Sequence, residues 1–155
     1  IKNTNPKIFL IINPFPFFNN YNAQTTKNQM FYGIINSMNE REKMVCGEIY
    51  NPCDKDLSKD RIIAKTLCSK YNQLLPTQKE EKKQILSELI GTNKCVIETN
   101  FFCDYGYNIN FQGFVYINHN SVFLDCAPIT IGENTFIGPN CGFYTLFTQS
   151  MLKSV

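Results

Sequence analysis

The sequence predicts a mainly β protein in which a helical N-terminal segment gives way to a hexapeptide-repeat solenoid. Three observations carry this reading. Apolar residues recur at helical spacing within residues 56–72 and 77–90. Helical periodicity stops after Cys95. Beyond it, Phe111, Ile117 and Phe123 stand six apart, a step of eight reaches Ile131, and six-residue steps resume at Ile137 and Phe143. Glycine follows two of these aliphatics, in "IGENTF" and "IGPNCG". Such a repeat predicts the flat sides of a triangular coil, each turning one apolar residue inward to stack on its equivalent in the next coil. A β-meander would alternate with a period of two, which residues 111–123 do not keep.

The elements follow in order. Residues 1–37 are rich in Asn, Ile, Lys and Phe, and Pro14 and Pro16 break any helix after Ile12. Against a signal peptide, Lys2 and Lys7 supply only weak basicity before the apolar Ile8–Ile12, and Asn22-Ala23-Gln24 is a poor cleavage site. We expect a disordered or non-native extension, with Met38 as the natural initiator. Residues 38–95 form the helical segment. Asn39 to Val45 make a short helix stopped by Gly47. In residues 56–72 a face of Ile63, Leu67 and Tyr71, continued by Leu74, points to the core. Thr77 and Glu80 have capping-box spacing for a third helix, with Ile85, Leu86, Leu89 and Ile90 inward and Gly91 as its stop. Residues 96–147 begin the solenoid, and residues 148–155 form an aberrant tail.

Composition narrows the partners. The 155 residues carry a net charge of +2 and only 18% charged side chains, with no basic stripe, so no nucleic-acid partner is expected. Seven scattered cysteines and a single histidine, His119, show no metal-ligand spacing, so no metal is expected. Unpaired cysteines suit a reducing cytoplasm, and no apolar run is long enough to cross a bilayer.

The string "CDYGYNI" (103–109) places an acid, two phenols and an amide between apolar stretches. As local chemistry Asp-Tyr-Gly-Tyr-Asn makes a good turn. Buried sugar hydroxyls would also need such polar partners.

Together, "NEREKMVCGEIYNPCDKDLSKDRIIAKTLCSKYN", "FFCDYGYNI", "LDCAPITIG" and "FIGPNCGFYT" resemble the maltose/galactoside O-acetyltransferase family. The likeness runs from about Met38 to Thr145, with its motifs in order. It implies a left-handed parallel β-helix behind a helical cap, and a homotrimer with active sites between subunits. It also implies acetyl transfer from acetyl-CoA to a sugar hydroxyl of maltose, glucose or a galactoside. A histidine base takes the hydroxyl proton, the oxygen attacks the thioester carbonyl, and amide donors hold the oxyanion. By this resemblance Asp104 lines the acceptor pocket and Asn118, in "YINHN", steadies the transition state. Asn118 is expected to contact substrate as well; the alternative is a corner residue, since Asn tolerates left-handed backbone angles. Asp125, in "LDC", is either a sugar contact or a corner residue. Some members carry an acid where this chain has Cys126. A further substrate-contacting acid of some members falls at Pro52, with Asp54 as a displaced substitute. His119 is expected at an exposed corner, away from the chemistry.

The resemblance breaks after "FYT". Thr148 stands where the general-base histidine is expected, and a threonine hydroxyl does not titrate near neutrality. The later coils, which hold most coenzyme contacts in the family, do not follow. One legal codon string for Thr145 to Val155, with a single C restored after the first codon, reads Thr-Pro-Phe-His-Ser-Ile-His-Ala-Glu-Lys-Arg. That peptide puts histidine in the base position. The sequence-level expectation is therefore a truncated or frameshifted acetyltransferase, inactive as written. The alternative is a non-catalytic hexapeptide-repeat binding or assembly fragment.

Overall fold

The computed structural model describes residues 9–10, 35 and 37–145. Among the described residues, three helices, α1 (Glu40–Cys46), α2 (Lys55–Gln73) and α3 (Lys79–Ile90), precede all but the first of a series of short parallel strands. Each helix starts and stops for a local reason. Asn39 and Glu42 form a reciprocal capping box on α1, and Gly47 ends it at φ 76°. Asp54 caps α2 by accepting from the amides of Asp56 (3.0 Å) and Leu57 (3.2 Å). That role engages the residue considered as a displaced substrate acid. Gly91 stops α3 at φ 72°.

Two helical expectations are corrected. Thr77 does not cap α3. The N-cap is Gln78, which makes no side-chain cap bond. Its side chain instead turns back to accept from the Leu75 amide at 2.9 Å, closing the turn around Pro76. On α2 the buried stripe is Leu57, Ala64, Leu67, Cys68 and Tyr71, whereas Ile63 is 47% exposed. Periodicity fixes the spacing of a stripe, but the docking partner fixes which neighbours on the helix surface are covered.

The strands are β1 (Phe9–Leu10), β2 (Cys95–Ile97), β3 (Phe102–Cys103), β4 (Ile109–Phe111), β5 (Val115–Ile117), β6 (Val122–Leu124), β7 (Ile129–Ile131), β8 (Thr135–Ile137) and β9 (Gly142–Tyr144). They pair in three parallel sheets, ordered β2-β5-β8, β1-β9-β6-β3 and β4-β7. Within the coil each residue pairs with the one twenty further on: Cys95 with Val115, Val115 with Thr135, Ile109 with Ile129. One turn is thus three short sides, and the eight-residue step in the sequence is the longer third side. The inward positions stack as Ile97/Ile117/Ile137, Cys103/Phe123/Phe143 and Phe111/Ile131. The rings of Phe123 and Phe143 stack at 4.5 Å. Phe9 and Leu10, within the stretch expected as an extension, run parallel along β9.

The coil turns at asparagines. Asn100, Asn120 and Asn140 hold left-handed backbone at φ 64°, 63° and 60°. Asn tolerates that region better than other side chains. Their amides form a ladder, Asn100 Nδ2 donating to Asn120 (2.9 Å) and Asn120 Nδ2 to Asn140 (3.1 Å). Asn120→Ala should lower stability by roughly 1–3 kcal/mol, from the left-handed backbone cost and two lost hydrogen bonds. Asn120→Gly should recover the backbone part, and urea unfolding of the two variants separates the terms.

The helices close the first coil. Ala64, Leu67, Cys68, Tyr71, Leu86, Leu89 and Ile90 share one core with Ile97, Phe101, Cys103 and Ile109. Asn72 docks α2 by bracketing Phe101, donating to its carbonyl (2.9 Å) and accepting from its amide (3.1 Å). Tyr71 donates its hydroxyl to the carbonyl of Ile97. Among the described residues, no helix is long and apolar enough to cross a membrane.

Candidate acceptor site

The loop between β3 and β4 is built around one carboxylate. Asp125 is fully buried. Its Oδ1 accepts from the amides of Asp104 (3.0 Å) and Tyr105 (2.9 Å), and its Oδ2 from Gly106 (2.7 Å). Burial pushes its pKa up to about 6, against the pull of these amides. Asn108 locks the same turn from the other side, donating to the carbonyls of Asp125 (2.7 Å) and Cys126 (3.2 Å). Gly106 sits at φ 84°, where an added β-carbon would stand 2.3 Å from the Leu89 carbonyl oxygen. Both oxygens of Asp125 are taken by backbone amides and none of it reaches solvent, so it positions the loop that carries Asp104.

Asp104 is held at the mouth of a cleft of about 320 Å³, with Lys65 and Ser69 of α2 on one side and Phe102, Val122 and Leu124 on the other. Among the described residues its carboxylate makes no hydrogen bond or ion pair. Partial burial raises its pKa, and the charges of Lys65 and Arg61 oppose that shift. An acid so placed can accept from a hydroxyl brought into the cleft.

Sequence reading missed the companions of Asp104. Tyr105 points inward to join Met44, Leu57 and Cys126 in a second core. Its hydroxyl accepts from Arg61 Nη1 at 2.6 Å, while Arg61 Nη2 donates to the carbonyl of Pro52 at 2.6 Å. The Arg61 guanidinium thus ties the α1–α2 connection to the 103–108 loop. The available signal was a cation one helical turn from Leu57 on α2. Tyr107 donates to Asp60 (3.2 Å), and the Arg41 guanidinium lies over its ring at 4.9 Å.

Asn118 lies outside this cleft. It follows β5, two residues before the Asn120 corner, whereas Asp104 follows β3 at the other end of the adjoining sheet face. Its Oδ1 accepts from the His119 amide at 2.8 Å and its own amide donates to Ile137 at 3.0 Å. The left-handed corner residue is Asn120, so Asn118 is not itself the corner. Its Nδ2 carries no hydrogen bond among the described residues. His119 stands exposed, its Nδ1 3.2 Å from the Thr99 hydroxyl and its Nε2 3.9 Å from Glu98. Thr148, the tail 148–155, and residues 1–37 apart from 9–10, 35 and 37 fall outside the described residues.

A helical cap sealing a twenty-residue coil of short parallel strands, with a polar loop at their junction, defines a hexapeptide-repeat protein of the left-handed β-helix class. Residues 43–92 match the family model for the maltose acetyltransferase hexapeptide capping motif. Nodulation protein L of Rhizobium leguminosarum bv. viciae is 39% identical over 108 residues, 68% of this chain and 57% of that protein. The structure of a maltose O-acetyltransferase from Clostridium difficile 630 superposes with TM-score 0.66 at 37% identity, over 74% of this chain and 62% of that one. A hexapeptide-repeat acetyltransferase of Vibrio cholerae O1 biovar eltor, complexed with acetyl coenzyme A, gives TM-score 0.64 at 33% identity, over 75% and 64%. Over about three quarters of its length the chain is similar to maltose O-acetyltransferase and hexapeptide-repeat acetyltransferase structures. It spans about three-fifths of the length of these relatives.

Proposed function

We propose that this chain is the acceptor-binding part of an acetyl-CoA-dependent sugar O-acetyltransferase acting on maltose, glucose or a galactoside. The observation that carries the reading is Asp104. Among the described residues its carboxylate has no hydrogen-bond or ion-pair partner, and it lines a cleft between the matched cap and the first coils, on a loop held by Asp125. An anionic acceptor there can take hydrogen bonds from a sugar hydroxyl. Acetyl-CoA is the donor substrate, as its presence in the Vibrio relative supports. Asn118, whose Nδ2 carries no hydrogen bond among the described residues, is the proposed oxyanion donor. It lies outside the Asp104 cleft of one protomer, which fits sites shared between subunits of a homotrimer. Seven free cysteines favour the cytoplasm as the setting.

Thr148 favours a second reading for the chain as it stands. Without a histidine there, no group at that position removes the hydroxyl proton, so the chain binds acceptor without turnover. Maltose, glucose and a thiogalactoside should therefore bind in a calorimetric titration while acetyl transfer stays at background. Asp104→Asn should weaken binding by ~10-fold, because a charge-assisted hydrogen bond becomes neutral. Asn118→Ala should leave ground-state binding unchanged. If none of these sugars binds the unaltered chain, or if Asp104→Asn binds as well, the acceptor assignment fails.

A further inference from the structure

Two buried cysteines on different elements face one another at the back of the cleft. Cys68 lies on the inward face of α2 and Cys103 in β3, 1% and 4% exposed, with their sulfurs 3.7 Å apart. All seven cysteines are free thiols, and this is the one contact between two of them among the described residues. Cys103 also lines the cleft beside Lys65, Ser69 and Asp104, which gives a small solute a path to the pair. We propose that Cys68 and Cys103 are a redox pair that a hydroperoxide oxidises to a disulfide, stapling α2 to β3.

The chemistry follows from the contact. One thiol donates its S–H to the other, and the shared proton favours a thiolate on Cys68, whose pKa is lowered by the bond from Cys103. The Cys103 thiol is correspondingly raised by the same contact and by burial. The thiolate sulfur attacks the terminal peroxide oxygen; the O–O bond breaks, a sulfenic acid forms and alkoxide leaves, or hydroxide when the oxidant is hydrogen peroxide. The partner thiol then attacks that sulfur, the S–O bond breaks and water leaves. In sum two thiols and one hydroperoxide give a disulfide plus water and an alcohol, or two waters when the oxidant is hydrogen peroxide. The two sulfurs supply the electron pair that reduces the peroxide. Sulfurs in van der Waals contact must close to ~2.05 Å. That movement draws α2 onto β3 and narrows the cleft between them. A bridge of this kind in a reducing compartment is transient and sensing rather than structural.

The test uses the full 155-residue chain under native conditions. It is treated with hydrogen peroxide, alkylated with iodoacetamide, digested and mapped by mass spectrometry. We expect a Cys68–Cys103 cross-linked peptide that dithiothreitol removes, with tryptic cleavage inside α2 slowed by ~10-fold or more before reduction. Cys103→Ala should leave Cys68 without a bridge and advance it to higher sulfur oxides. The proposal is overturned if exposed Cys46 and Cys53 are oxidised while Cys68 and Cys103 remain alkylatable. It is equally overturned if these two sulfurs are found bridged to other cysteines, or if the bridged chain is cleaved in α2 as fast as the reduced one. Neither the peptide map nor the cleavage rate depends on sugar binding.

Discussion

Gly106→Ala should cost more than 4 kcal/mol, enough to abolish a cooperative thermal transition in a domain of ordinary stability. Two effects coincide at this residue. Its φ of 84° lies where an L side chain meets its own backbone, which costs roughly 1–2 kcal/mol. An added methyl carbon would also stand 2.3 Å from the Leu89 carbonyl oxygen and 2.8 Å from its Cδ1, so the end of α3 and the loop cannot both stay in place. The Gly106 amide would then leave Asp125, and the turn that presents Asp104 would lose its anchor. Gly47→Ala is the control. Its φ is 76° but nothing lies within 4 Å of the added carbon, so only the backbone cost applies. Melting curves followed by circular dichroism should show a modest drop for Gly47→Ala and no cooperative transition for Gly106→Ala. Similar curves for the two would mean that the α3–loop contact does not hold the junction.

Asp125→Asn should destabilise the fold by roughly 2–3 kcal/mol near neutral pH. The amide oxygen can keep the two bonds at Oδ1, but the amide nitrogen would face the Gly106 N–H donor to donor. The pH dependence identifies the cause. Burial raises the Asp125 pKa to about 6 from an ordinary value of 3.8. Between these values the folded state binds the proton more tightly than the unfolded chain, so this group's contribution to stability falls as pH rises from about 4 to about 6. A shift of about two units corresponds to roughly 3 kcal/mol across that window. The protonated acid keeps a lone pair for Gly106, which the asparagine nitrogen lacks. Urea unfolding should therefore find the asparagine variant's deficit widest near pH 4.5 and narrower at pH 7.5. A deficit that grows with pH would mean that the amides, not burial, dominate the carboxylate.

The repeat was legible because stacking in a coil is periodic in sequence. Phe111, Ile117, Phe123, Ile131, Ile137 and Phe143 were marked as inward from spacing alone, and the structure stacks them in the predicted lanes. The stops at Gly47 and Gly91 were legible for a similar reason, since a helix end needs only neighbouring residues to specify it. Thr77 misled because its cap position competes with the turn that Gln78 closes. Asp104 was legible as a polar residue among apolar ones, but its lack of a partner among the described residues was not.

The sequence by itself determined the helical cap, the coil, the inward lanes and the likeness to the acetyltransferase family, because each is written in residues close along the chain or at a fixed interval. Tertiary structure alone decided which acid meets solvent and which is buried. Asp104 and Asp125 stand twenty-one residues apart, and only the closing of one coil brings the Asp104 amide onto the Asp125 carboxylate. It also decided that Arg61 reaches Tyr105 across forty-four residues, and that Cys68 meets Cys103 across thirty-five. These contacts depend on how α2 docks against the open end of the coil. Docking is set by the shape and burial of the whole interface, which no local period encodes.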